Sequence, residues 1–146
     1  MRIARATAEH ASRWMAMRHA LWPDQTLEVL ALDIPALLTN PRLPAFLAFT
    51  SWGEPIGFAE ASLRRDYVNG CETSPVAFLE GIYVEPAHRR QGVARMLIAA
   101  VAEWGRAQGC SEFASDALLG NDASHAFHQR VGFAETERIV YFRQLL

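Results

Sequence analysis

The chain has 146 residues, about half of them apolar, with 14 basic and 16 acidic side chains and a formal charge of −2. Apolar material on that scale buries the core of one domain without disulfides or metals, so a single domain over residues 1–146 is expected. The slight acidic excess argues against a nucleic-acid partner, whose binder normally carries a basic surplus.

Arg2 to Ala6 alternates polar and apolar residues, as a short half-buried strand does. The stretch Met1 to Trp14 holds no apolar run of signal-peptide length, and no later run approaches a membrane span. The expected location is therefore the cytoplasm, away from membranes. Thr7 is placed to cap a helix over Ala8 to Leu21, with Trp14, Met17 and Leu21 on one face and Ala11 and Arg18 on another. Pro23 ends it. Leu27 to Leu32 reads as a second helical piece, restarted after Asp33 with Pro35 in the new first turn. Ala45 to Trp52 and Ile56 to Arg65 form a hairpin, and a turn-rich stretch leads into a further strand, Val76 to Val84.

Gln91 to Gln108 is the clearest helix: Val93, Met96, Leu97, Ala100, Val101 and Trp104 recur at helical spacing, and Gly109 closes it. Ser111 to Ser115 reads as a short strand, Asn121 to Arg130 as a helix, and Ala134 to Leu146 as a last strand. The order β-α-α-β-β-β-α-β-α-β implies an α/β domain of three layers, with a mixed, mostly antiparallel sheet flanked by helices. In a reducing compartment Cys71 and Cys110 are separate thiols, and neither has a His or Cys neighbour at ligand spacing, so no metal site is expected.

The chemistry concentrates where Val84 gives way to Val93. A helix start leaves backbone N–H groups unpaired at the positive end of its dipole, and a glycine in the preceding turn aims them outward. Gly92 admits close approach, Ala94 keeps the first turn open, and Arg90 and Arg95 add positive charge. The pattern is neither a Walker loop nor a dinucleotide-binding glycine fingerprint. A capped helix with solvated arginines is the plain alternative.

Arg89-x-x-Gly92-x-Ala94 between a strand and an amphipathic helix resembles the acetyl-CoA loop of the GNAT N-acetyltransferases. Asn121, the helix after it, and Gly132-Phe133 resemble the family's second motif. Leu21-Trp22, "DYVNG", "LEGIYVEPAHRRQGVA", "EFASD" and "GFAETERIVYF" are similar to the aminoglycoside 6′-N-acetyltransferases of the chromosomal type. The resemblance implies acetyl-CoA as co-substrate, its diphosphate on Arg90, Gln91, Gly92, Val93, Ala94 and Arg95. Its pantetheine arm would run along Ile82, Tyr83 and Val84, with Asn121 a contact to the same arm as well as an N-cap. It further implies direct acetyl transfer to the 6′-amine of a polycationic antibiotic, with resistance as the outcome, and a homodimer.

Glu80 stands in an otherwise apolar strand, either exposed on an uncovered stretch or lining the acceptor cleft, where it would hold the ammonium and serve as base. Asp116, a second catalytic candidate, and Glu137 are strand-end carboxylates that the resemblance makes acceptor contacts, as it does Trp22 and Tyr67. His128 occupies the position where many family members carry a tyrosine acid, which leaves proton donor and packing residue both open. Two other readings compete: a GNAT enzyme for a polyamine, amino sugar or peptide N-terminus, and a non-catalytic acyl-CoA-binding domain.

Overall fold

A computed structural model describes residues 1–146. The elements are β1 (Arg2–Arg5), a 3-10 turn (Ala8–His10), α1 (Ala11–Leu21), α2 (Leu27–Ala31), α3 (Ile34–Thr39), β2 (Ala45–Phe49), β3 (Pro55–Arg64), β4 (Val76–Val84), α4 (Val93–Ala107), β5 (Phe113–Ser115) and α5 (Asp122–Arg130). The five strands lie side by side in chain order. Only the β4–β5 pair, joined through α4, is parallel. Helices cover both faces of the sheet, which gives the three layers expected from the order of elements.

The central strands show why. Every residue of β2 (AFLAF) is buried, a pattern that only a strand covered on both faces sustains. Phe46 and Ala48 point to one core with Leu97, Ile98 and Val101 of α4. Leu47 and Phe49 point to the other, with Trp14 and Met17 of α1 and Phe58 of β3. Each fully buried large side chain contributes on the order of 1.5–3 kcal/mol. Gly105 lets α4 sit directly on β4, because a Cβ there would stand 2.8 Å from the Cβ of Ala77.

Several local expectations are corrected. Thr7 makes no side-chain cap, and the first turn of the expected helix is 3-10 in form. Asp33 holds the position before α3 without capping it, because its carboxylate is drawn to Arg18. Arg18 does not part from Trp14 and Met17; four residues after Trp14 it shares their buried face. The largest difference lies at the C-terminus. Residues 134–146 form no strand, and no strand of the same chain takes their backbone groups. Val140, Tyr141, Phe142, Leu145 and Leu146 are exposed there. Thr136 rests where a side chain on Gly70 would stand, so this segment leans on the loop between β3 and β4. No helix is long and apolar enough to cross a membrane.

Candidate active site

The turn into α4 is built to leave its amides free. Arg90 and Gly92 adopt φ of 62° and 83°, the left-handed region that glycine enters without strain. No group in the chain accepts from the backbone N–H of residues 90–95; the first helical donor with a partner is Met96, to the Gly92 carbonyl at 3.1 Å. Side chains hold this shape. Arg89 Nε donates to the Val84 carbonyl at 2.8 Å and its guanidinium lies over the Tyr83 ring, while Gln91 Nε2 donates to Ala87. Arg90 is exposed beside the free amides. Arg95, expected to add charge there, is committed elsewhere: its Nη2 donates to the Arg130 carbonyl at 2.8 Å and ties α4 to the end of α5. The free N–H row, the open space around Gly92 and the positive helix end suit a diphosphate.

The strand leading to that turn is open on one side. β4 pairs with β5 only through Ala77, Phe78 and Leu79, opposite Phe113, Ala114 and Ser115. Beyond this point Gly81, Ile82, Tyr83 and Val84 keep β3 on one side and have no strand on the other. An extended chain with amide groups can dock on such an edge as an added strand would. The open edge ends at the Arg90–Arg95 turn.

Glu80 sits where the two strands part. Glu60 pairs with Gly81 and Ala61 with Leu79, so Glu80 is the extra residue of a β-bulge, a device that re-aims a side chain. It is exposed, in contrast to its buried predecessors, and does not stand alone. Ser62 Oγ donates to Oε1 at 2.6 Å and Arg64 Nη2 donates to the same oxygen at 2.8 Å. Oε2 carries neither bond. Asp116 follows Ser115 as Glu80 follows Leu79, so the two carboxylates leave the sheet from matching positions on neighbouring strands. Trp22 lies across Gly81: a Cβ there would meet the indole at 2.5–2.7 Å. The fold thus brings Trp22, Glu80 and Asp116 to the same end of the β4–β5 pair. Tyr67 and Glu137 are exposed on a second group of segments, the β3–β4 loop and the C-terminal stretch leaning on it.

Asn121 caps α5, its Oδ1 accepting from the Ser124 N–H at 3.1 Å, which leaves its NH2 free. His128 Nδ1 lies 2.7 Å from the Ser124 carbonyl, an acceptor only, so Nδ1 carries the proton. In the neutral ring Nε2 then accepts from the Ser115 hydroxyl at 2.8 Å. The ring also meets Phe133 and Phe127 edge-on.

Three features escaped the sequence reading: the bulge at Glu80, its Ser62 and Arg64 partners, and a buried ion pair between Arg18 and Glu60. The glutamate–glycine step inside an apolar strand is the signal that could have marked the first. Burial pushes the thiols of Cys71 and Cys110 above the ordinary range, with Glu112 adding to the effect at Cys71, so neither is poised as a nucleophile. No three His, Cys, Asp or Glu side chains gather as a metal ion would require. An open groove of about 630 Å³ between β1, β2 and α4 lies away from the gathered residues, lined chiefly by Ile3, Phe46, Met96, Ala100 and Trp104.

With this geometry in hand, comparison with known proteins is specific. Residues 9–133 match the acetyltransferase (GNAT) family. The chain is 49% identical over 138 residues to the aminoglycoside N(6′)-acetyltransferase type 1 of Serratia marcescens, covering 94% of each sequence. It superposes with a TM-score of 0.95, at 44% identity, on the apo aminoglycoside 6′-N-acetyltransferase AAC(6′)-Ig of Acinetobacter haemolyticus, covering 100% of this chain and 99% of that one. It also superposes with a TM-score of 0.93, again at 44% identity, on AAC(6′)-Iy in complex with a bisubstrate analogue, CoA-S-monomethyl-acetylneamine. That match covers 99% of this chain and 98% of the other.

Proposed function

The chain belongs to the GNAT acetyltransferase family, and from that premise we propose that it is one catalytic domain transferring acetyl from acetyl-CoA to the 6′-amine of aminoglycosides. One observation carries the reading: an open strand edge runs from the Glu80 bulge to a row of unpaired amides at the start of α4. Acetyl-CoA supplies the activated acyl group. The Arg90–Arg95 turn would hold its diphosphate, Ile82 to Val84 its pantetheine arm, and Asn121 the same arm through its free NH2. A backbone N–H on the open edge is the kind of donor that steadies charge on a thioester oxygen.

On the other side, Oε2 of Glu80 and the carboxylate of Asp116 would hold an ammonium group between two negative charges. Glu80 accepts two hydrogen bonds through Oε1 rather than standing buried and alone, so it can attract the cation, orient it, and take its proton, directly or through water. Trp22 walls this point, and Tyr67 and Glu137 extend it for further ammonium groups of a polycationic acceptor. The ammonium gives one proton to the carboxylate; the nitrogen–carbonyl bond then forms, the carbon–sulfur bond breaks, and coenzyme A leaves as a thiolate that takes the second nitrogen proton to become the thiol. The acylated amine has lost a positive charge, which weakens its hold on RNA phosphates and so confers resistance. A cytoplasmic setting suits the two free thiols.

Thiol release measured with kanamycin- and tobramycin-type acceptors tests this. Turnover above the hydrolysis background, with NMR locating the acetyl group on the 6′ nitrogen, is the expected result. Turnover of peptides or polyamines in place of amino sugars would move the acceptor, and binding of acetyl-CoA with no acceptor at all would leave only a sensor.

A homodimer is part of the same reading. The exposed apolar residues Ile139 to Phe142, Leu145 and Leu146 of the unpaired C-terminal segment are a surface that a second copy would cover. Light scattering is expected to return twice the chain mass, and removal of residues 139–146 to return the single mass. A full-length monomer would end the proposal.

A further inference from the structure

Arg18 and Glu60 are 4% and 3% exposed, charges set deep in the fold and apart from the groups assigned so far. Arg18 Nε donates to Glu60 Oε1 at 2.7 Å, Nη2 reaches Oε2 at 3.2 Å, and the Trp14 indole N–H gives Oε1 a further bond at 2.9 Å. The rest of the guanidinium turns outward. Nη1 donates to the Leu30 carbonyl in α2 at 2.6 Å, and Nη2 is shared with Asp33, just before α3, at 3.1 Å. Its Cζ lies 5.1 Å from the centre of the Trp22 ring. One cation therefore grips β3, α2, the start of α3 and the tryptophan that ends α1.

A pair with no other duty is a poor use of the interior, since well-packed apolar residues of the same volume do as well or better. What apolar residues cannot do is hold a carbonyl and a carboxylate at fixed directions, which the guanidinium fork does. α2 needs that hold. It has five residues, too few to persist alone, and Leu30 is its one buried side chain. The location matters as well. Glu60 pairs with Gly81, the residue that Trp22 covers and the neighbour of Glu80. Phe58, two residues before Glu60 and on the same face, also meets the Trp22 ring. α4 lies on the opposite face of the sheet.

We infer that Arg18, seated by Glu60, is a positioning residue for the acceptor: it sets Trp22 and α2 against the bulge that presents Glu80. The inference rests on the acceptor reading above and goes beyond it by assigning the wall's placement to an ion pair that touches no substrate.

Arg18→Lys tests it, because lysine keeps a positive charge beside Glu60 but cannot span Glu60, Leu30 and Asp33 at once. The expected result is a rise of about tenfold in KM for the aminoglycoside with KM for acetyl-CoA within about twofold. Deuterium exchange of the α2 amides should also quicken about tenfold with no acceptor present. A pair that merely stabilises the fold would lower Tm and the active fraction while leaving both KM values alone. That outcome, or an equal rise in both, overturns the inference. Should Arg18→Lys not fold, the double variant Arg18→Met/Glu60→Met, which leaves no buried unpaired charge, must show the same KM split and the same faster exchange; unchanged α2 exchange in it overturns the inference. Wild-type protein that acetylates no aminoglycoside defeats the functional reading, whereas the α2 exchange reports on the anchor alone.

Discussion

Glu80→Gln is expected to lower kcat/KM for the aminoglycoside about 100-fold while acetyl-CoA binding stays within about twofold, as befits loss of a positioned base and ammonium partner. The substitution is close to isosteric, and glutamine can still accept from Ser62 and Arg64 through one oxygen, so the bulge has no reason to move. What disappears is the negative charge at Oε2, the one oxygen not committed to the protein. Arg64 is itself seated, its guanidinium 3.5 Å from the Phe78 ring, so Glu80 is oriented from behind by a fixed cation. Asp116→Asn should show the same pattern more weakly, since no donor within the chain orients that carboxylate. Steady-state kinetics with each substrate varied separately, and calorimetric titration of coenzyme A, make the check. Equal losses for both substrates would reduce Glu80 to a structural partner of Ser62 and Arg64.

Residues whose surroundings are local in sequence were legible before the fold was known. Val76 to Val84 is a strand with the bounds its apolar run suggests, and α4 follows from the spacing of Val93, Leu97 and Val101. The glycine turn could be read because a helix start has the same free amides wherever it occurs. Glu80 was legible only as an anomaly. Its exposure depends on a register shift against β3, between the pairs Glu60–Gly81 and Ala61–Leu79, and partners so far apart in the chain leave no periodic trace. Arg18 was misassigned because an arginine on a helix normally faces water. Its burial requires Glu60, 42 residues away, and the Leu30 carbonyl, which no side-chain pattern encodes. Arg95 is similar: its place in the helix start was visible, its bond to Arg130 was not. The C-terminal strand shows the reverse limit. The β-branched and aromatic run in "RIVYF" states a preference for strand, but a strand forms only where a neighbour accepts its backbone groups.

These observations divide the molecule along β4. One face and the open edge of that strand belong with α4 and the free amides; the other face belongs with α1, α2 and Trp22. Substitutions on the two sides are therefore expected to separate kinetically, and the second large effect is the mirror image of the first.

Gly92→Ala is expected to weaken coenzyme A binding at least about tenfold, with the acceptor's KM nearly unchanged. At φ 83° an alanine is held in the left-handed region at a cost of about 1–2 kcal/mol. No atom lies within 4 Å of the added Cβ, so the methyl meets no protein group. Two routes remain, and both reach the same amides: the methyl stands in the open space before them, or the backbone relaxes and turns them away. Gly53→Ala provides the control. It sits at φ 89° in the β2–β3 turn, also with open space around its Cβ, and away from α4. Both variants should lose similar stability, about 2–4 °C in Tm per kcal/mol for a chain of this size. Only Gly92→Ala should lose coenzyme A in a calorimetric titration, and coenzyme A should slow amide exchange at residues 90–95 in the parent and in Gly53→Ala but not in Gly92→Ala. If the two variants bind coenzyme A equally well, the diphosphate does not sit on this turn, and the open edge of β4 loses its assignment with it.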